Sequence, residues 1–119
     1  MYKIKSLEKW KEDDSKKVYK FSADTNNWIL IELNKGATAG GHYHKGIVKS
    51  KDPEINVIIK GKAKYKLQNT KTDEEKEIIV EAQSIIEIQP YVKHTIEALE
   101  DFTFIEPFDE EAVKKDRFE

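Results

Sequence analysis

Gly36-Ala37-Thr38-Ala39-Gly40-Gly41-His42-Tyr43-His44 is the stretch from which the rest of this chain is read. Side chains two apart on a strand point to the same face, so His42 and His44 can reach one point together. Tyr43, between them, points away from that point and packs. The chain holds 3 histidines in 119 residues, and the remaining one, His94, stands alone downstream. Histidine used this sparingly, and partly as a pair, points to chemistry. The plain alternative is a polar patch on an exposed strand, with His94 incidental.

Downstream of the pair comes Glu54, and six residues further on Gly61. From Val18 onward the sequence reads as short β-branched or aromatic strands punctuated by Gly, Asn, Asp and Pro. These are Val18–Phe21, Trp28–Leu33, Glu54–Ile59, Ala63–Leu67, Glu77–Val80, Ser84–Ile88, His94–Ala98 and Phe102–Glu106. Lys60-Gly61-Lys62 is expected to be a tight hairpin, with Gly61 free to take a positive φ. Asn69 to Asp73 is a second turn. Residues 1–17 form an N-terminal arm, or a short helix over Leu7–Glu12 capped by Ser6. Residues 109–119 run from acidic to basic, which suits a short terminal helix or tail. One domain is expected over 1–119, with its barrel at 18–108. Many short strands with regular turns indicate an all-β sandwich or barrel.

Composition narrows the functional classes. Lys+Arg 21 against Asp+Glu 23 gives a net charge of −2 with both signs interspersed. No broad basic field exists to hold a nucleic acid, and no apolar run is long enough to span a bilayer. The start, Met1-Tyr2-Lys3-Ile4-Lys5, lacks the apolar core of a signal peptide. With 0 cysteines, disulfides and thiolate metal sites are excluded. A cytoplasmic protein is the expectation.

The pattern G-x5-H-x-H followed by E-x6-G resembles the first motif of the cupin family. The gap from His44 to Glu54, Lys45 to Pro53, is longer than the family's usual one. Gln83-Ser84-Ile85-Ile86-Glu87-Ile88-Gln89-Pro90-Tyr91-Val92-Lys93-His94 resembles the second motif, with Gln83, Gln89 and Tyr91 where the family has Gly, Pro and Gly. Ala98 replaces the family's terminal Asn. The resemblance spans about residues 28 to 108 and implies a cupin-type double-stranded β-helix, a jelly-roll barrel. It implies His42, His44, Glu54 and His94 as metal ligands. Three imidazoles and a carboxylate make a borderline donor set that leaves Zn, Fe, Mn, Ni and Co open.

Parity places Asn56 and Ile58 on the face of Glu54, and Ile96 and Ala98 on the face of His94. Asn56, Trp28, Phe102 and Phe104 are candidate pocket residues. Lys60, Lys62, Lys64 and Lys66 share a strand face that is either solvated or set to attract an anion. Loop 45–53 is a lid or a mere insertion. Cupins include dioxygenases, isomerases, epimerases and decarboxylases. The expected function is therefore a metal-binding cupin acting on a small molecule. Gly41-His42-Tyr43-His44 with Gly61-Lys62-Ala63 also looks like the cupin module of capsular-polysaccharide and nucleotide-sugar enzymes. That implies a metal-free sugar isomerase or epimerase, and a non-catalytic small-ligand module is a third alternative. A homodimer is expected by analogy of fold.

Overall fold

Alternation of buried and open side chains sets the way each strand faces, and the strands assemble accordingly. The computed structural model describes residues 1–119. Its strands are β1 (Glu8–Glu12), β2 (Lys16–Ala23), β3 (Asn26–Leu33), β4 (Thr38–His42), β5 (Glu54–Lys60) and β6 (Lys62–Asn69). They continue as β7 (Glu75–Glu81), β8 (Ser84–Ile88), β9 (Val92–Ala98) and β10 (Phe102–Pro107). A 3-10 turn spans Lys49–Lys51 and one α-helix, α1, spans Glu110–Lys115. A six-stranded sheet in the order β1-β2-β3-β10-β5-β8 faces a four-stranded sheet in the order β4-β9-β6-β7, and every pairing is antiparallel. The expected all-β cupin architecture is the one observed.

Between the sheets lie Leu33, Ile58, Tyr65, Ile96, Phe102 and Phe104, all buried. Glu54, Asn56 and Ile58 are buried along β5, and His94, Ile96 and Ala98 along β9, as strand parity requires. Chemistry-bearing residues thus occupy the core end of the same rows that carry apolar packing.

Local expectations differ in two places. Residues 8–12 form a strand rather than a helix, because β2 offers backbone partners that a helix of about one turn, marginal on its own, lacks. Trp10 of this strand packs edge-on against Phe108 at 5.1 Å, beneath the Lys20 ammonium at 4.0 Å. Lys60-Gly61-Lys62 is a corner rather than a hairpin, since β5 and β6 belong to different sheets. Gly61 takes φ 85°, and a Cβ there would lie 2.1 Å from the Asp101 carbonyl oxygen, so the crossing admits only glycine. The lysine stripe on β6 is solvated and paired: Lys64 reaches Glu97 at 3.4 Å and Glu77 at 4.0 Å. Elsewhere the turns follow their residues. Asp24 and Thr25, at φ 53° and 62°, build a tight β2–β3 hairpin. Asp109 caps α1 by accepting from the Glu111 N–H at 2.9 Å.

The positions where the second motif lacks glycine now have a physical meaning. Gln83 and Tyr91 both adopt left-handed backbone, with φ 67° and 70°. A side chain in that region costs about 1–2 kcal/mol, whereas glycine adds about 0.5–1 kcal/mol of lost chain entropy. Gln83→Gly should therefore raise stability by about 0.5–1 kcal/mol, read as a higher urea midpoint. A lower midpoint would mean that the Gln83 side chain contributes more than its backbone strain costs.

Candidate metal centre

Strand β4 delivers His42 and pairs it directly across from His94 of β9. Beyond the end of β4 the chain stays extended, because Tyr43 exchanges backbone hydrogen bonds with Phe118 at 2.8 and 2.9 Å. That bridge carries His44 back toward His42. Their rings are 4.9 Å apart, and His42 and His94 are 4.8 Å apart. One donor atom from each of the three imidazoles lies within 4.8 Å of the other two.

Glu54, at the start of β5, joins them from the opposite sheet. Its carboxylate reaches His94 Nε2 at 3.0 Å and His44 Nε2 at 3.3 Å. The insertion between His44 and Glu54 does not swing the carboxylate away. Instead its 3-10 turn places Lys51 inside, with Nζ 2.7 Å from Glu54 Oε1. Loop 45–53 thus contributes a buried ammonium to the site.

Partners outside the cluster set the ring tautomers. His44 Nδ1 donates to the Asp116 carbonyl oxygen, and His94 Nδ1 donates to the Val92 carbonyl at 3.3 Å. Carbonyls only accept, so Nδ1 holds a proton in both rings, and Nε2 is the atom that faces Glu54 and offers its lone pair to a cation once its own proton leaves. Burial first, then the charges of His94, Arg117 and His44, push His42 down to about 3, so it too remains an unprotonated donor. Burial opposes the Glu54 charge, but hydrogen bonds from His44 and His94 and the charge of Lys51 hold its carboxyl well below the usual range. The same carboxylate raises His94 against the opposing effect of burial.

Asp116 ties the end of the chain to this cluster. Its side chain is 0% exposed and accepts the backbone N–H groups of Lys45 at 2.6 Å and Val48 at 3.0 Å. One residue therefore orients His44 through its carbonyl and pins the inserted loop through its carboxylate. Outer partners of this kind typically contribute about 10–100-fold to metal affinity. Asp116→Ala keeps the carbonyl that orients His44 but frees the Lys45 and Val48 N–H groups. Affinity for a divalent cation should therefore fall by about tenfold, the low end of that range, measured by chelator competition, with strand content unchanged by circular dichroism. Wild-type affinity in the variant would show that the carboxylate's hold on the loop does not matter to the site.

The cluster opens into a cavity of about 380 Å³. Asn56 and Phe104 stand on its wall, together with Ile31, Ile96 and Glu106. Phe102 lies in the core beneath it, and Trp28 stacks on Phe21 at 6.5 Å, away from this cavity. Lys11, Lys16 and Arg117 bring cationic side chains to the same space, and Asp109 and Glu110 bring acidic ones. Lys51, Glu106 and Asp116 carried no signal in the sequence, since no motif spans the distances that bring them to the histidines.

A divalent cation fits this set. His42 Nδ1 is a buried ring nitrogen without a hydrogen-bond partner, and the Glu54 carboxylate beside the cluster balances charge. Metal binding is thus compatible with the donors present, whose nitrogen and oxygen character suits several first-row ions.

A family model described as glucose-6-phosphate isomerase (GPI) matches residues 32–105. The curated proteins give no match. Among solved structures, the capsular polysaccharide assembling protein CapF from Staphylococcus aureus is similar, with a TM-score of 0.73 and 20% identity over 97% of this chain and 32% of that chain. Oxalate decarboxylase from Lactobacillus farciminis, in a formate complex, is similar with a TM-score of 0.66 and 20% identity, over 86% of this chain and 30% of that one. The oxalate decarboxylase of Bacillus subtilis, with Mn(II) centres, has a TM-score of 0.64 and 22% identity, over 82% and 26%. This chain spans about a third or less of the length of these proteins. At such identities the likeness is one of fold.

Proposed function

This chain belongs to the glucose-6-phosphate isomerase (GPI) family, within the cupin superfamily, and on that premise we propose that it interconverts an aldose phosphate and a ketose phosphate. His42, His44, Glu54 and His94 would hold the divalent metal, one of Zn, Fe, Mn, Ni or Co. The observation that carries the reading is the convergence of three imidazoles and a carboxylate on one cavity of about 380 Å³. When bound, the cation would act as a Lewis acid on the substrate's carbonyl and neighbouring hydroxyl oxygens. The chain's own residues supply the rest. Ile31, Ile96 and Phe104 keep one wall apolar, and Lys11, Lys16 and Arg117 offer charge to a phosphate. Glucose 6-phosphate, from the family's description, is the first substrate to try.

One observation favours a second reading. Lys51, His94 and His44 already surround the Glu54 carboxylate at 2.7, 3.0 and 3.3 Å. Its negative charge is therefore compensated without a metal ion, as in a metal-free sugar isomerase or epimerase in which an imidazole moves the proton. The deciding experiment starts from untagged protein, with metal content by elemental mass spectrometry. Isomerisation of glucose 6-phosphate is then followed before chelation, after it, and after reloading with each of the five ions. Activity that falls on chelation and returns on reloading supports the first reading. Full activity without metal selects the second, and metal-loaded protein inactive on this and other sugar phosphates overturns both.

The reading includes one cytoplasmic domain that pairs as a homodimer. Leu30, Ile105, Val57 and Ile85 form one cross-strand row on the outer face of the six-stranded sheet, an apolar surface suited to a second copy.

A further inference from the structure

We propose that Glu106 is the catalytic carboxylate that carries the proton between the two reacting carbons, held in place by Asn56 and Tyr65. The inference rests on the isomerase reading above and names a residue that neither the motifs nor the metal cluster contains. Glu106 follows Phe102 and Phe104 on the inward face of β10, and it lines the same cavity as the three histidines. It is half-buried, on the wall of that cavity.

Its surroundings look built for a carboxylate that has to act. Tyr65, 0% exposed, donates its hydroxyl to Asn56 Oδ1 at 2.8 Å. That bond fixes the flip of the Asn56 amide, so Nδ2 must point the other way. Nδ2 donates to Glu106 Oε2 at 3.0 Å. Burial raises the Tyr65 pKa, so its hydroxyl keeps its proton and the relay keeps one direction. Asn56 itself is 1% exposed. Two polar side chains, Tyr65 and Asn56, are therefore ordered in the interior to hold one carboxylate by one oxygen.

The second argument compares the two carboxylates that share the cavity. Lys51 has closed on Glu54 at 2.7 Å, and no lysine, arginine or histidine forms a salt bridge with Glu106. Glu54 is thereby committed to imidazoles, ammonium and metal. Glu106 is left without a counter-ion, and burial first, then the Glu54 charge, raise it to about 7 against the pull of Lys51 and His94. A base works best when its pKa lies near the working pH.

The step balances without any further reagent. Glu106 takes the proton from C2 of the aldose. The C2–H electron pair becomes the C1–C2 double bond, and the carbonyl pair moves onto O1. The Glu106 carboxylic acid then returns its proton to C1, the O2–H proton passes to O1, and O2 becomes the ketose carbonyl.

The test compares Glu106→Gln and Glu106→Asp with wild type, on metal-loaded protein. Metal content, kcat and KM are measured, with uptake of solvent deuterium at C1 and C2 followed by NMR. In the Gln variant kcat should fall by about 10²–10⁴, together with deuterium uptake, while metal content and KM hold. The Asp variant, which keeps a carboxylate, should recover part of kcat. A Gln variant within about threefold of wild type in kcat overturns the assignment and leaves the isomerase reading standing. A wild type that isomerises no sugar phosphate removes both. If the Gln variant fails to fold, Tyr65→Phe decides: kcat down by about tenfold at constant KM and metal content supports the relay, and an unchanged kcat overturns it.

Discussion

On the isomerase reading proposed above, replacing His94 by alanine should cost the site its divalent cation and abolish isomerisation. His94 lies at the centre of the cluster: it faces His42 across the β4–β9 pairing, and its Nε2 is 3.0 Å from Glu54 Oε2. Four-ligand protein sites bind zinc with about 10–16 kcal/mol, so one ligand carries roughly 3–4 kcal/mol, or about 10²–10³ in affinity. The variant loses more than a ligand, because the Glu54 carboxylate also loses its 3.0 Å partner His94 and is left to Lys51 and His44. Elemental mass spectrometry should find about one equivalent of metal in wild type and well below one in His94→Ala. His94→Gln, which fills the space without an imidazole, should behave in the same way. A full equivalent in either variant would remove His94 from the ligand set.

The largest stability effect should come from Phe102→Ala. Phe102 is 1% exposed on β10, the strand between β3 and β5, with its ring 5.6 Å from Phe104 and 6.5 Å from Tyr65. Removing a buried phenyl group costs about 3–5 kcal/mol through lost burial and the cavity left behind. Domains of this size have about 5–15 kcal/mol in total, so the variant should be close to unfolding at 37 °C. Urea denaturation gives the number directly. A loss below about 1 kcal/mol, the typical cost of an ordinary substitution, would contradict the packing between the two sheets. Tyr65 is both a neighbour of this ring and the first donor of the relay to Glu106. Activity of Phe102→Ala at low temperature should therefore fall as well.

Much of the fold was legible because strand periodicity is a local property. Parity along Glu54–Ile58 and His94–Ala98 requires only that neighbouring residues alternate, and the burial of those strands follows it. The Lys60-Gly61-Lys62 corner was misread for the same reason. A glycine turn between two strands looks alike whether they pair or part, and only the Asp101 carbonyl packed against Gly61 separates the cases. Residues 8–12 were ambiguous because their strand form depends on β2, a partner that follows them in the chain.

From the sequence alone came the histidine pair, the lone His94, the Glu54–Gly61 spacing and the all-β pattern, since each depends on residue type and short-range periodicity. Only the tertiary structure decided what surrounds them. It brought Lys51 onto Glu54, Asp116 onto His44 and the inserted loop, and Asn56 and Tyr65 onto Glu106. The separations in these contacts, such as 72 residues from His44 to Asp116 and 50 from Asn56 to Glu106, are closed by sheet pairing and core packing. No local pattern encodes them, because the free energy that holds such pairs together belongs to the assembled sheets.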